Sequence, residues 1–230
     1  MKRVHLLFDL DGTLLDSREG TVRSIRFALD EVGLHDVPEH ELDSCVGPPL
    51  LDSLKRLLGP DRGHQIPAAL EHYQRHFESE GIRHILPYGG IQECLDALGD
   101  SAHLYVVTSN LTHLSETLLS QCGLKDRFIR ILGAQDWNGA GKARLIAELL
   151  HSENLPAHST VMIGDRRFDV EGALRNGVLP IGILWGYGTA EELRSAGAET
   201  LFHRPDHLAR HFTAEDRPRS TQFSPAARRG

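Results

Sequence analysis

Short apolar runs in this chain end in carboxylates. Val4–Phe8 runs into Asp9-Leu10-Asp11-Gly12-Thr13, and Val161–Ile163 into Gly164-Asp165, with Asp169 four residues on. In an extended chain Asp9 and Asp11 face one side and Leu10 the other. Two carboxylates that close repel, so either a cation sits between them or one keeps its proton. Asp165 brings a third carboxylate. Oxygen donors alone suit a hard ion such as Mg²⁺. Taken singly, Asp11-Gly12 also reads as a turn and Asp165 as a helix cap; their recurrence at the ends of separate strands favours a metal site. A third run, Leu104–Val107, ends in the small polar residues Thr108-Ser109-Asn110. In open α/β sheets ligands sit outside the carboxyl ends of the strands, so all three groups are predicted to share one rim.

Lys142 opens a predicted helix after Gly139-Ala140-Gly141. A cation there opposes the helix dipole, which suggests another duty, such as holding a phosphate or a carboxylate. The same stretch looks superficially like a P-loop. It fails, because Asp136 takes the first glycine position and residue 143 is Ala. His72 and His76 share a helix face without the HExxH pattern, and His207 and His211 form a similar pair; both read as solvent-facing. No G-x-S-x-G surrounds Ser109, which excludes a hydrolase nucleophile elbow.

The elements that must position these residues follow from the pattern. Val4–Phe8, Leu104–Val107, Val161–Ile163 and Ile181–Leu184 are apolar without alternation, as buried parallel strands are. Helical segments near 89–99, 112–122, 141–151 and 167–176 lie between or beside the later runs, the last stopping at Asn176-Gly177. The expected fold is α/β, a doubly wound, mostly parallel Rossmann-like sheet. Residues 17–84 differ, with helical patterns near 18–32, 50–58 and 66–80 and no convincing strand. They are expected to form an inserted all-α domain, leaving 1–16 and 85–212 as the core. Residues 213–230 are rich in Arg, Pro and Ser and predict a disordered tail.

A net charge of −7 argues against a general nucleic-acid binder. Cys45, Cys94 and Cys122 are odd in number and widely spaced, against a disulfide framework or a zinc knuckle. Asp9 interrupts the first apolar run too early for a signal peptide, and no stretch is long enough to span a membrane. The expected location is cytoplasmic, which makes the sequon Asn110-Leu111-Thr112 meaningless.

In order and spacing these residues resemble the haloacid dehalogenase-like superfamily. Asp9-Leu10-Asp11-Gly12-Thr13-Leu14 looks like its first motif, Val106-Val107-Thr108-Ser109-Asn110 its second, Lys142 its third and Gly164-Asp165-Arg166-Arg167-Phe168-Asp169 its fourth. The resemblance covers about residues 4–210. The insert, Val46-Gly47-Pro48-Pro49 and the Gly182–Gly188 stretch are similar to the phosphoglycolate phosphatase-like branch with a helical cap. The departures are mild: Arg166 stands where many relatives carry a small polar residue, and no proline follows Lys142.

The resemblance implies roles. Asp9 would be nucleophile and Mg²⁺ ligand. Asp11 would protonate the leaving alcohol, then deprotonate the attacking water, and bind the metal through its backbone carbonyl. Thr108 and the Ser109 backbone would hold the phosphoryl oxygens, with Asn110 closing that phosphate-binding motif. Lys142 would neutralise charge, Asp165 would complete the metal site, and Asp169 would support it from behind. The expected activity is Mg²⁺-dependent hydrolysis of small phosphorylated metabolites, phosphoglycolate-like, through an aspartyl-phosphate. A sugar-phosphate mutase, a pyrophosphatase or a 5′-nucleotidase of the same fold are alternatives. A phospho-receiver domain is disfavoured by D-x-D on the first strand, and a scaffold by the intact acidic set. No nucleic-acid or membrane partner is expected; monomer and homodimer both stay open.

Overall fold

The computed structural model describes residues 3–136 and 141–213. Six parallel strands form the central sheet: β1 (Val4–Phe8), β4 (Ala102–Leu111), β5 (Arg130–Ala134), β6 (Thr160–Gly164), β7 (Leu179–Ile183) and β8 (Thr200–Phe202). Their order is β5-β4-β1-β6-β7-β8. The chain builds one side of β1 first, then crosses to the other, so the order reverses beside β1. The clefts flanking β1 at the strand carboxyl ends are where such sheets bind ligands.

Both faces of the sheet are covered, which explains the unbroken apolar strands. Leu6, Phe8, Leu104 and Val106 pack with α5 (Ile91–Gly99), α6 (Thr112–Gln121) and α10 (Pro205–Thr213). Leu7, Tyr105, Val107 and Met162 pack on the other face with α7 (Lys142–Ser152) and α8 (Arg167–Arg175). A third, smaller cluster joins Val170 to Leu193 of α9 (Ala190–Ala196).

Between β1 and β4 comes the helical insert: α1 (Arg18–Glu31), α2 (Glu39–Asp43), α3 (Leu50–Leu58) and α4 (Ile66–Ser79). Val22, Ile25 and Leu29 of α1 are buried, as are Ala69, Tyr73 and Phe77 of α4. These spacings are one stripe of a helix, and the Tyr73 and Phe77 rings stack at 5.3 Å. The stripe joins the same buried cluster as Leu6, Phe8 and Leu10. The segments entering and leaving the insert pair as a short antiparallel ladder, β2 (Leu15–Asp16) with β3 (Leu86–Pro87).

The six-strand sheet is fully parallel, and the expected fold class holds. Sequence patterning missed β5 and β8, the two edge strands. β5 opens on an exposed arginine and contains Gly133, and β8 is three half-buried residues, so neither reads as an apolar run. β4 is longer than expected, and its register with β5 shifts between Val107 and Leu111. Thr108, Ser109 and Asn110 occupy that irregularity. Thr213, the first residue of the predicted tail, ends α10; residues 214–230 and Trp137 to Ala140 lie outside the described residues. Among those described, no helix is long and apolar enough to cross a membrane.

Candidate active site

Asp9 leaves β1 with its N–H still on Ile163 O at 2.9 Å, so it is held by the ladder to β6. Its Oδ1 accepts from Leu10 N at 2.7 Å. The chain then turns at Gly12, whose φ of +84° favours glycine. On β6 the next residue after Gly164 is Asp165, fully buried. Its Oδ1 accepts from Thr13 Oγ1 at 3.2 Å and its Oδ2 from Tyr187 N at 2.8 Å. Asp169, in the first turn of α8, accepts from Arg166 N at 3.1 Å through Oδ2. One carboxylate oxygen from each of Asp9, Asp165 and Asp169 lies within 4.8 Å of the others.

Lys142 is the cation at the centre of this group. Its Nζ lies 2.7 Å from Asp9 Oδ1 and 2.8 Å from Asp169 Oδ1. It also donates to Val107 O at 3.1 Å. Three acceptors for three ammonium protons explain why a buried lysine is tolerated at a helix start.

The electrostatics are unbalanced toward negative charge. Burial, then the neighbouring Asp9 and Asp169 carboxylates, push Asp165 up to about 8. Burial and Asp9 push Asp169 up to about 6, against the pull of Lys142. Asp9 is raised by burial, with Lys142 opposing. For Lys142, burial works against the ammonium, but Asp169 and Asp9 outweigh it and hold its pKa above the ordinary lysine value. Two buried acids therefore share one ammonium, and a third, Asp165, stands beside them without touching it. A second positive charge with only oxygen ligands would fit this donor set.

Asp11 takes a different place from that expected. The regular strand ends at Phe8, so the alternation that groups Asp9 with Asp11 lapses. The Asp11 carboxylate is not in the three-acid cluster; it is held by Asn110 Nδ2 at 3.3 Å. Burial raises its pKa, with Asn110 among the groups opposing. Asp169, expected behind the metal site, has one carboxylate oxygen within 4.8 Å of Asp9 and Asp165. Both its oxygens are occupied, one by Lys142 and one by Arg166 N, so its position also orients these two.

Asp9, Asp11, Thr108, Ser109 and Asn110 line one cavity of about 70 Å³. Ser17, Thr21, Tyr73 and the loop Cys45–Leu50 of the insert line it as well. Asn110 N donates to Thr108 Oγ1 at 3.1 Å, closing the turn after β4.

Several residues that shape this site carry no chemical signal of their own. The string Trp185-Gly186-Tyr187-Gly188 after β7 wraps Asp165: a Cβ on Gly186 would stand 2.6 Å from the Asp165 Cβ. Trp185 Nε1 donates to Thr13 O at 2.9 Å. Tyr187 Oη accepts from Ser17 N at 2.8 Å and donates to Asp16 Oδ1 at 3.0 Å, tying the entrance of the insert to the loop that holds Asp165. The available hint was rarity, since two aromatics interleave with glycines in a chain with only 2 Trp and 4 Tyr. The histidine pairs are drawn elsewhere. His76 lies 3.0 Å from Ser24 Oγ and stacks on Phe27, while His211 packs on Phe202. Among the described residues the three aspartates are the group placed to share an ion.

Comparison with known proteins agrees with this geometry. The family model described as haloacid dehalogenase-like hydrolase matches residues 6–183. A 5′-nucleotidase of Pseudomonas aeruginosa is 37% identical over 212 residues, covering 91% of this chain and 92% of that protein. The tyrosine-protein kinase PtkA of Mycobacterium tuberculosis is 31% identical, covering 86% of this chain and 68% of that protein. The crystal structure of a predicted phosphatase from Clostridium acetobutylicum superposes with a TM-score of 0.85 at 34% identity, over 92% of this chain and 98% of that one. With most of its length inside that match and a close counterpart for its sheet, the chain belongs to the haloacid dehalogenase-like hydrolase family and is a phosphatase of that fold.

Proposed function

We propose that this protein hydrolyses phosphate monoesters of small molecules with Mg²⁺, through a phosphoryl group carried on Asp9. One observation carries the reading. Asp9 Oδ1 is tied to Lys142 and to Leu10 N, and Asp9 lines the cavity that Thr108, Ser109 and Asn110 share, so Oδ2 is the oxygen left for a substrate. Mg²⁺ held by Asp9 and Asp165, with Asp169 beside them, would supply positive charge against the phosphoryl oxygens.

The chain's own groups account for the rest. Asp9 Oδ2 attacks phosphorus as the bond to the leaving oxygen breaks, and the proton of Asp11 passes to that oxygen. Asp11, now a carboxylate, takes a proton from water, whose oxygen attacks phosphorus and releases Asp9. Thr108 and the Ser109 backbone hold the equatorial oxygens, and Lys142 keeps Asp9 ionised. The insert, residues 17–84, acts as a cap that excludes water and selects the leaving group.

The cavity lining favours an uncharged leaving group over a carboxylate such as glycolate. Among the described residues no Lys, Arg or His lines it, and the ammonium of Lys142 is committed to Asp9 and Asp169. Trp137, Asn138, Gly139 and Ala140, which follow the lining residue Asp136, bring no charge. A nucleoside or another neutral alcohol suits this surface better than phosphoglycolate does.

The test is direct. With Mg²⁺, the protein releases inorganic phosphate from an aryl phosphate, and Asp9→Asn stays folded but does not. Undiminished release by Asp9→Asn would refute the nucleophile. Counting free phosphate separates hydrolysis from transfer to a second acceptor, which the mutase alternative requires.

A further inference from the structure

Arg166 follows Asp165 in the chain, yet its guanidinium serves the insert. Nη1 donates to Val46 O at 2.9 Å, and Nε donates to Glu192 Oε1 at 3.0 Å. The same Glu192 oxygen accepts from Arg167 N at 3.0 Å, and Glu192 N is held by Thr189 Oγ1 at 3.1 Å. The arginine and glutamate side chains are 18% and 24% exposed, so this pair is largely withdrawn from solvent. A planar guanidinium fixed by one carboxylate presents its other nitrogens in a set direction.

The insert is shaped to receive it. Gly47 has φ +102°, and a Cβ there would stand 2.6 Å from Arg166 Nη1. The loop therefore carries no side chain where the guanidinium passes. Val46 and Gly47 belong to the segment that lines the cavity above Asp9. The backbone N–H of Arg166 is meanwhile held by Asp169. One residue thus joins the turn carrying the acidic cluster to the roof of the cavity.

We propose that Arg166 is a positioning residue that latches the loop Cys45–Leu50 over the cavity and so sets how tightly the leaving group is enclosed. Its effect on turnover rests on the phosphatase reading; the latch itself does not. The guanidinium donates to Val46 and Glu192 and not to the acidic cluster, which it reaches only through a weak charge effect on Asp165, so the latch acts chiefly on substrate retention.

Two full-length variants approach the contact from opposite sides: Arg166→Ala removes the donor, and Gly47→Ala crowds it. Hydrogen exchange on the substrate-free protein reads the loop, and steady-state assays at varied aryl phosphate and Mg²⁺ read the site. Both variants speed exchange of the amides in 45–54 and leave β6 unchanged. Arg166→Ala also raises KM by about tenfold, the scale of one charge-assisted hydrogen bond, with the half-saturating Mg²⁺ concentration unmoved. Unchanged loop exchange in both variants overturns the latch. So does a shifted Mg²⁺ requirement at constant KM, which would assign Arg166 to the acidic cluster. If the wild-type protein releases no phosphate from any ester, the phosphatase reading fails, and the exchange data still decide the latch.

Discussion

The ammonium of Lys142 is shared between two carboxylates, at 2.7 Å and 2.8 Å, and all three groups are almost wholly out of solvent. Removing one member of such a network leaves the others charged and unpaired. Lys142→Met is expected to cost about 3–5 kcal/mol of stability in a denaturant melt and to reduce kcat by at least about a hundredfold. Asp165 supplies the pH dependence. Without metal it holds its proton in the folded state up to about 8, against 3.8 as its ordinary value. Between those values the folded state binds more protons than the unfolded chain, so this group lowers stability as pH rises. The proposed Mg²⁺ would need the deprotonated carboxylates and so would restore most where the loss is greatest. Melts of the metal-free protein should therefore lose more Tm between about pH 6 and about pH 8 than melts of Asp165→Asn, and saturating Mg²⁺ should remove the difference. Parallel pH profiles for the two proteins would mean that Asp165 is ionised throughout.

The loop after β7 illustrates what one connection contributes. Its backbone at Tyr187 holds the Asp165 carboxylate, and Gly186 allows the approach by having no side chain. The nearest obstacles to a Cβ at Gly186 are the Gly12 carbonyl and Asp165 itself. A methyl there has no flexible neighbour to displace. Gly186→Ala should push Asp165 out of line and raise the Mg²⁺ concentration for half activity by about 10–100-fold, the usual scale for disturbing groups behind a metal ligand. Its cost in stability should be about 1–3 kcal/mol, as for other overpacked sites. A Mg²⁺ titration of activity beside a thermal melt checks both. An unaltered Mg²⁺ requirement would show that the loop merely covers Asp165.

At the scale of the whole molecule, one buried cluster runs from β1 through the insert and along one face of the sheet. Leu10 and Leu14, which flank Asp11 in the chain, pack in the same cluster as Ile25, Leu29 and Phe77 of the insert. An element sharing its apolar face with its neighbour does not melt alone without exposing that face. Calorimetry should therefore show one cooperative transition, with van't Hoff and calorimetric enthalpies equal. Mg²⁺ should move the whole transition. A separate early transition assigned to residues 17–84 would mean that insert and sheet are independent units.

Much of this architecture is written locally. Apolar runs with acids at their ends, glycine stops and the strand-poor region 17–84 depend on near neighbours in the chain. From these the sheet and the helical insert could be read, and Asp9, Asp165 and Lys142 singled out as candidates. β5 and β8 could not, because an edge strand needs less apolar pattern and takes its definition from a partner. Nor could the composition of the acidic cluster. Whether Asp11 or Asp169 joins Asp9 depends on where β1 ends its regular path and on the neighbour that strand order gives it. Thr13 meets Asp165 across 152 positions, and Asp11 meets Asn110 across 99. The residues that can do chemistry were therefore determined by the sequence alone. Which of them come within reach of one ion, which one lysine joins and what lines the cavity were decided by the tertiary structure, because such contacts link groups whose separation along the chain says nothing about their separation in space.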